Sequence, residues 1–570
     1  MPKPASGAGE KWKRCVRRTA VVLLALILLT AAGCAAILFH IYHAPYPKTE
    51  NSFFSSAFVS DRTVLVIVPH QDDEINLGYG VIDAFTEAGG SVYVLFTTNS
   101  DRSDNAQLRT EEAVLCCGLM HVPKANIILL GYGDHINNPC FYLGGENEVR
   151  TSEGGYSKTY GAFGITDFHT LRYGEAADYT WGNMKNDLKQ VVLDIRPDVI
   201  FAVDTDDHSD HAAASQLFDL AMGEILREQP LYKPLVYKGF AYPYAWYGNA
   251  DFSGLPLKSA APQWVSSAYE TAYSWNERVR FPMHPAYLGY TLRSSKLRSL
   301  LLMHKSQAAI FHETRLLNSD KVFWERRTDA LLANVYASSG NAALLSDFVI
   351  AGTREQPERN AWFPDTDDER PELRFRWNEP QTISEIVFYT APEPAGRVLT
   401  VEVSVPDTGE TVSYTLADHS GKPCRMAFER ENIRAVDIRI TGRQGEAGLM
   451  EIEFLPPRDM PLQWMSVTTE SGDFCTELRS PSMQALTLRL YGYPKAPETA
   501  AAVVLKDGRK AAQAEYRNGT LAVPPLPNGT YRLTVACGAC KAEVVLRIGS
   551  AMIIERGIQW IERRLDAILP

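Results

Sequence analysis

Short, uninterrupted apolar runs punctuate the chain between residue 63 and about residue 340. VLVIV (64–68), SVYVLFTT (91–98), NIILLGY (126–132) and DVIFAVD (198–204) are rich in β-branched and aromatic side chains and are bounded by polar residues. Runs of that kind predict strands buried on both faces. Between them, 105–119 and 181–195 repeat apolar positions at a helical period. Buried strands separated by helices predict a parallel sheet with helices on both sides, and ligands bind such sheets beyond the carboxyl ends of the strands. After about residue 345 the period becomes two. ELRFRW, TISEIVFYT, VLTVEVSV, TVSYTL and AVDIRI alternate, with turn residues between them, which predicts an antiparallel β-sandwich over 350–458. A second all-β segment follows over 460–549, with Asn-Gly turns in RNGT and PNGT; hairpin chemistry accounts for Asn518 and Asn528 without invoking their glycosylation sequons. In 551–570, Ile554, Ile558, Ile561, Leu565 and Ile568 share one helical face. That pattern predicts an amphipathic helix packed on a domain or a partner.

The N-terminus has a different pattern. Lys3, Lys11, Lys13, Arg14, Arg17 and Arg18 precede residues 19–39, which carry no charge. Such a run is long enough to cross ~30 Å of hydrocarbon as a helix. The basic flank favours a cytoplasmic N-terminus, with everything after about residue 45 outside. A cleaved signal peptide is the rival reading. AAGC (31–34) also resembles a lipoprotein cleavage site, although the apolar run continues past Cys34.

Composition adds exclusions. The chain has 570 residues, 45% of them hydrophobic and 22% charged, with a net charge of −11. That length predicts several domains, and an acidic chain is a poor nucleic-acid binder. Nine cysteines do not make a disulfide scaffold. Cys116 and Cys117 sit in a helical stretch as buried thiols. Cys537 and Cys540 flank a hairpin turn, and either a cross-turn disulfide or two free thiols fits them. One CxxC lacks the second pair that a structural zinc site needs.

The chemistry gathers at two strand ends. VPHQDDEINLGYG (68–80) places His70, Asp72, Asp73 and Glu74 after the first strand. VDTDDHSDHAAA (203–214) places Asp204, Asp206, Asp207, His208, Asp210 and His211 after the fourth. Histidine and carboxylate suit zinc and similar divalent metals, and a catalytic zinc keeps three protein ligands and one open position. Taken alone, the acids at 72–74 could simply cap a helix. Histidines in the second cluster argue against an all-oxygen calcium cage.

VPHQDDE resembles the PHxDDE signature of the PIG-L / LmbE-like family of zinc-dependent N-acetylglucosamine deacetylases, and HSDH resembles that family's HPDH motif. TTNSDRSDNAQLRTEEAVLCCGLM is similar to its Arg-x-Glu-Glu helix, and KLRSLLLMHKSQ (296–307) to its late His-basic-Ser-Gln helix. The resemblance covers about residues 62–330. It implies a Rossmann-like α/β catalytic domain with metal ligands His70, Asp73 and His211. Asp72 would be the general base and His208 the electrophile or acid, while Arg109 and Asp134 would contact substrate. Glu74 reads as structural, bonded to backbone near the first loop. His304 and Gln307 either approach the site or pack a helix. Gln71 and Ser209 stand where the family commonly has proline. Asp206 stands where some relatives have an aromatic residue near the substrate.

Residues 350–458 resemble a discoidin-like, galactose-binding-like sandwich, and 460–549 an immunoglobulin-like spacer. FAYPYAWYGN (240–249) offers aromatic rings for sugars or for the core. The expected organisation is multidomain. A basic cytoplasmic segment (1–18), a transmembrane anchor (19–42) and a linker (43–62) lead to a deacetylase domain (63–345), two all-β domains (350–458 and 460–549) and the final helix. The expected activity is Zn2+-dependent de-N-acetylation, with another divalent transition metal also acceptable, on an extracytoplasmic glycan or glycolipid. The alternatives are an amidase on another N-acyl group, or a carbohydrate-binding protein with a vestigial site.

Overall fold

Thr63–Val68 (β1), Ser91–Thr98 (β2), Ile127–Tyr132 (β3) and Val199–Val203 (β4) are the strands that the four apolar runs predict. Leu235–Gly239 (β5) is a fifth, which the sequence reading left unassigned. The computed structural model describes all residues except 1–7, 44–45, 104, 135–140, 207, 243–245, 248–257, 263–268, 271–272, 290–294, 313–315, 317, 354–355, 393–394, 417–422, 482 and 550–570. The helix expected at 551–570 lies outside the described residues.

The five strands are parallel and lie side by side in the order β3-β2-β1-β4-β5. Two antiparallel strands, Asp320–Arg326 and then Val279–Pro282, extend the β5 edge, so the sheet is mixed. Among the described residues, eight α-helices belong to this first part of the chain: α1 (Ala8–His43), α2 (Asp73–Gly78), α3 (Val81–Glu87), α4 (Ala106–Leu119), α5 (Phe168–Tyr173), α6 (Trp181–Ile195), α7 (Ser209–Glu228) and α8 (Lys296–Leu301). The two-residue period of β1 explains why both faces are covered. Val64, Val66 and Val68 join a core with residues of α2, α3 and α4. Leu65 and Ile67 join a separate core with residues of α6 and α7. Each such side chain contributes about 1.5–3 kcal/mol on burial. The strand order reverses between β1 and β4, where crossovers leave in opposite directions. That gap at the strands' carboxyl ends is the usual ligand crevice of such sheets.

In α1, residues Trp12–Ala36 are long and apolar enough to cross a membrane. The helix runs without a break from the basic flank into the apolar run. Residues 46–62, part of the expected linker, are packed against the rest of the chain. Phe53 is buried against Phe58, Phe281 and Trp464, and Asn51 bridges to Ala542.

The C-terminal region is all β and forms sandwiches. ELRFRW and TISEIVFYT, expected as separate strands, are one strand, Glu372–Thr390, whose register against Pro423–Gln444 shifts between Arg376 and Glu385. The polar residues Asn378–Gln381 mark a bend in one strand, not a turn between two. Asn334–Ala337 pairs with Leu373–Arg376, so it belongs to this sheet although it lies before residue 350. In the last sheet Asn518 and Gly519 both have positive φ (50° and 78°). They join Arg509–Arg517 to Thr520–Val523, as a type I′ hairpin requires. The other Asn-Gly pair is not a hairpin turn, because Gly529 opens the strand that ends at Cys537. Cys537 and Cys540 face each other across a tight turn as free thiols. Trp464 stacks on Phe281 at 5.0 Å and donates to the Arg280 carbonyl at 3.1 Å. The all-β region is therefore packed directly on the α/β sheet.

Candidate metal centre and active site

Two loops form the site. Beyond β1, the Pro69 carbonyl accepts the Thr98 N–H and hydroxyl, each at 3.0 Å. Gln71 is wholly buried. Its Nε2 donates to the Thr98 carbonyl at 3.0 Å, and its Oε1 accepts the Ser100 hydroxyl. The glutamine that replaces the family's proline thus ties the β1 loop to the end of β2. Asp72 occupies the N-cap position of α2, yet its side chain makes no capping bond. Capping does not account for it. Its Oδ1 instead accepts from Arg109 Nη2 at 3.3 Å, and the same nitrogen donates to the Gln71 carbonyl at 3.1 Å. Beyond β4, His208 caps α7, its Nδ1 accepting the Asp210 N–H at 3.2 Å.

The loops converge. The imidazole rings of His70, His208 and His211 have centroids 4.5, 4.8 and 5.3 Å apart. Asp73 Oδ2 lies 3.2 Å from His70 Nδ1 and 3.2 Å from His211 Nε2. Its other oxygen accepts from Asn76 at 3.0 Å. His211 Nδ1 donates to Asp206 Oδ2 at 2.7 Å. His70 Nε2 is 3.2 Å from Asp210 Oδ2. Two sets have ligand atoms close enough to share one ion: His70, His208 and His211, and His70, Asp134, His208 and Asp210. All of these side chains are buried.

Electrostatics explain what such a cluster lacks. Burial lowers the pKa of His211, but Asp206 and Asp73 outweigh it and raise it to about 9. Burial likewise works against charge on His70, yet Asp210, Asp73 and Asp134 push its pKa well above the usual value. Burial would raise the Asp73 carboxyl, but His211 and His70 hold it well below the usual range. Burial and the adjacent Asp73 push Asp72 up to about 6, against Arg109, His304 and His70. His208 goes the opposite way. Burial, then His70 and His211, push it down to about 2. It is a neutral imidazole whose Nδ1 accepts a backbone N–H, which leaves the proton on Nε2.

The residues fit a divalent cation. His211 Nε2 is a fully buried nitrogen with no hydrogen-bond partner, 3.2 Å from a carboxylate oxygen. Its opposite nitrogen is fixed by Asp206, as metal-ligating histidines usually are. His70, His208 and His211 have ligand atoms close enough to share one ion, and Asp73 Oδ2 lies 3.2 Å from a ring nitrogen of both His70 and His211.

The other expected residues also lie here. Asp72 and His208 lie in the same two loops, and Arg109 lies against Asp72. Asp134 is buried in a group with His70, His208 and Asp210, its N–H held by Asp101 at 2.9 Å. Asp206 gains a role here that the sequence did not assign. It is wholly buried and accepts from His211, from the His208 N–H at 2.9 Å and from the Tyr242 N–H at 3.1 Å. It therefore orients a histidine instead of lining a substrate surface. Asp210 and Tyr242 received no role from the sequence, although Asp210 is in the HSDH motif itself. Tyr242 lies 4.8 Å from His211, ring to ring. Phe240, two residues earlier, is core. Residues 243–245, 248 and 249 of the aromatic stretch, and Asp207, lie outside the described residues.

Residues 65–222 match the family model described as GlcNAc-PI de-N-acetylase, PIG-L. This span holds both motifs, and the resemblance stated from them is found there. Residues 329–455 match a domain of unknown function, DUF7402. No curated protein matches the chain. Among solved structures, a fucose-binding module of Streptococcus pneumoniae is similar at 12% identity and TM-score 0.20, over 23% of this chain and 97% of its own. The family 32 CBM of C. perfringens NanJ in complex with galactose matches at 13% and 0.18, over 21% and 91%. The lectin domain of lectinolysin complexed with Lewis B antigen matches at 12% and 0.20, over 22% and 94%.

Proposed function

We propose that the chain is a metal-dependent de-N-acetylase, releasing acetate from N-acetylglucosamine-type residues of an extracytoplasmic glycan or glycolipid. The observation that carries this reading is the bare, buried His211 Nε2 beside Asp73 Oδ2, with Asp72 one residue away. The PIG-L match over 65–222 supplies the reaction class. His70, Asp73 and His211 would hold the ion, Zn2+ by family habit. When bound, such an ion polarises the acetamido carbonyl and lowers the pKa of water towards ~7. Asp72 accepts the proton of the attacking water. His208 donates its Nε2–H to the carbonyl oxygen as negative charge develops there. Asp72 then passes the proton to the departing nitrogen, giving the free amine and acetate. Arg109 aligns Asp72 and closes one side of the substrate position, and Asp134 faces the sugar. The helix Trp12–Ala36 supports attachment to a membrane with the remainder outside.

The test uses the full chain in detergent micelles, loaded with Zn2+. Its substrates are N-acetylglucosamine oligomers, peptidoglycan and an N-acetylglucosaminyl glycolipid. Acetate from one of these, abolished by chelator and reduced about 10²–10⁴-fold by Asp72→Asn with the metal retained, is the expected result. Acetate from none of them, with a metal tightly bound, would move the reading to another N-acyl substrate. No acetate and no bound metal would leave a binding protein.

A further inference from the structure

Asp72 is held in a backbone conformation that an L-residue rarely adopts, with φ 147° and ψ −19°. Such strain persists only where the surroundings over-determine it. The surroundings here come from a part of the chain far away in sequence. Glu74, wholly buried, accepts the Asp72 N–H on Oε2 at 2.9 Å. Its Oε1 accepts from His304 Nε2 at 2.5 Å, and His304 is also wholly buried. Burial lowers the His304 pKa, but Glu74 outweighs it and raises it. His304 is itself anchored. Two residues on, Ser306 donates its N–H and hydroxyl to the two oxygens of Glu112, at 3.0 and 2.6 Å. Glu112 lies one turn along α4 from Arg109, which touches Asp72. One helix therefore braces both the Asp72 carboxylate and the segment that reaches the Asp72 backbone.

We propose that His304, acting through Glu74, is a positioning residue that sets the strained Asp72 backbone and so aims its carboxylate at the attacking water. This rests on the reading of Asp72 as general base. The His304–Glu74 pair lies outside the ligand set. Its loss should leave the ion in place and misplace the base, and a displacement of about 1 Å can cost about 10²-fold in turnover.

The experiment compares His304→Ala, His304→Gln, Glu74→Gln and Cys117→Ala in the full, zinc-loaded chain. Cys117→Ala is the matched control, preferred to Cys116→Ala because the Cys116 thiol bonds Glu74; the Cys117 thiol is also buried on α4 near Glu74. For His304→Ala and Glu74→Gln the expected result is a kcat loss of about 10²-fold with KM and bound zinc unchanged. His304→Gln, which keeps a donor for Glu74, should recover part of the loss, and Cys117→Ala should turn over normally. A second readout does not depend on activity: in a crystal structure of His304→Ala, the Asp72 φ should leave the positive region. If wild type releases no acetate, the functional reading fails, and this backbone comparison alone decides the positioning role. The proposal is overturned if His304→Ala or Glu74→Gln keeps wild-type kcat, or if Asp72 keeps its conformation. It is also overturned if Cys117→Ala lowers kcat as much as His304→Ala, which would mark a general packing effect. Should His304→Ala fail to fold, Glu74→Gln carries the same test.

Discussion

Two buried polar clusters sit side by side at the end of β4, and they are built differently. In the first, Lys238 is wholly buried and donates to Ser215 Oγ at 2.9 Å, to Asp219 Oδ1 at 2.8 Å and to the Ser215 carbonyl at 3.3 Å. Ser215 in turn donates to Asp204 at 2.7 Å. All three ammonium hydrogens have acceptors, and the cation is part of the chain. In the second, two residues away along the loop, Asp206, His211, Asp73, His70 and Asp210 crowd together, and the fully buried His211 Nε2 faces the Asp73 carboxylate at 3.2 Å without forming a hydrogen bond. The first cluster is closed by its own lysine, and the second holds the donors that the proposed metal site would use. Burial and charge alone do not separate the two. The state of the last lone pair does.

That contrast can be broken at either side. The largest effect should come from Asp73→Asn, which removes the oxygen shared by His70 and His211. Bound metal measured by elemental analysis should disappear, along with acetate release, while the fold survives. A variant that still held the ion as tightly as wild type would put the ligands elsewhere. Next, Lys238→Met strips the cation from the closed cluster and leaves Asp219 buried and unpaired. It should cost about 3–5 kcal/mol in denaturant unfolding, with metal content unchanged in the folded fraction. Lost metal and unchanged stability would reverse the assignment of the two clusters. The smallest change should follow Asp206→Asn, which keeps the His211 contact but weakens its charge. Metal affinity should fall about 10–100-fold, and turnover at saturating metal should stay near wild type. If affinity does not change in competition with a chelator, Asp206 does not orient the ligand.

Much of this was readable from the chain. Strands β1 to β4 announced themselves because strands buried on both faces must be apolar at every position. Both strand-end motifs were visible because histidine and aspartate are rarely packed so densely after a buried strand. What the sequence left open follows from long-range pairing. The role of Asp206 is not legible from its place two residues before His208. Only the fold shows that α7 turns His211 back onto it. Asn378–Gln381 looked like a turn, because polar residues interrupt alternation in both cases. Only the partner strand Pro423–Gln444 shows the chain continuing through a bend.

The sequence by itself determined the α/β alternation, the period-two C-terminal region, the apolar N-terminal run and the chemical kind of the site. Those depend on which residues are near in sequence, through periodicity, turn propensity and the donor types of side chains. The tertiary structure decided which donor is left bare, which carboxylate orients which histidine, and that His304 reaches the Asp72 loop from more than two hundred residues away. It also decided that residues 46–62 and Trp464 seal the α/β sheet against the all-β region. The physical reason is common to all of these. A hydrogen bond or an aromatic contact is specified by position in space, and chain folding alone sets which distant residues share that space.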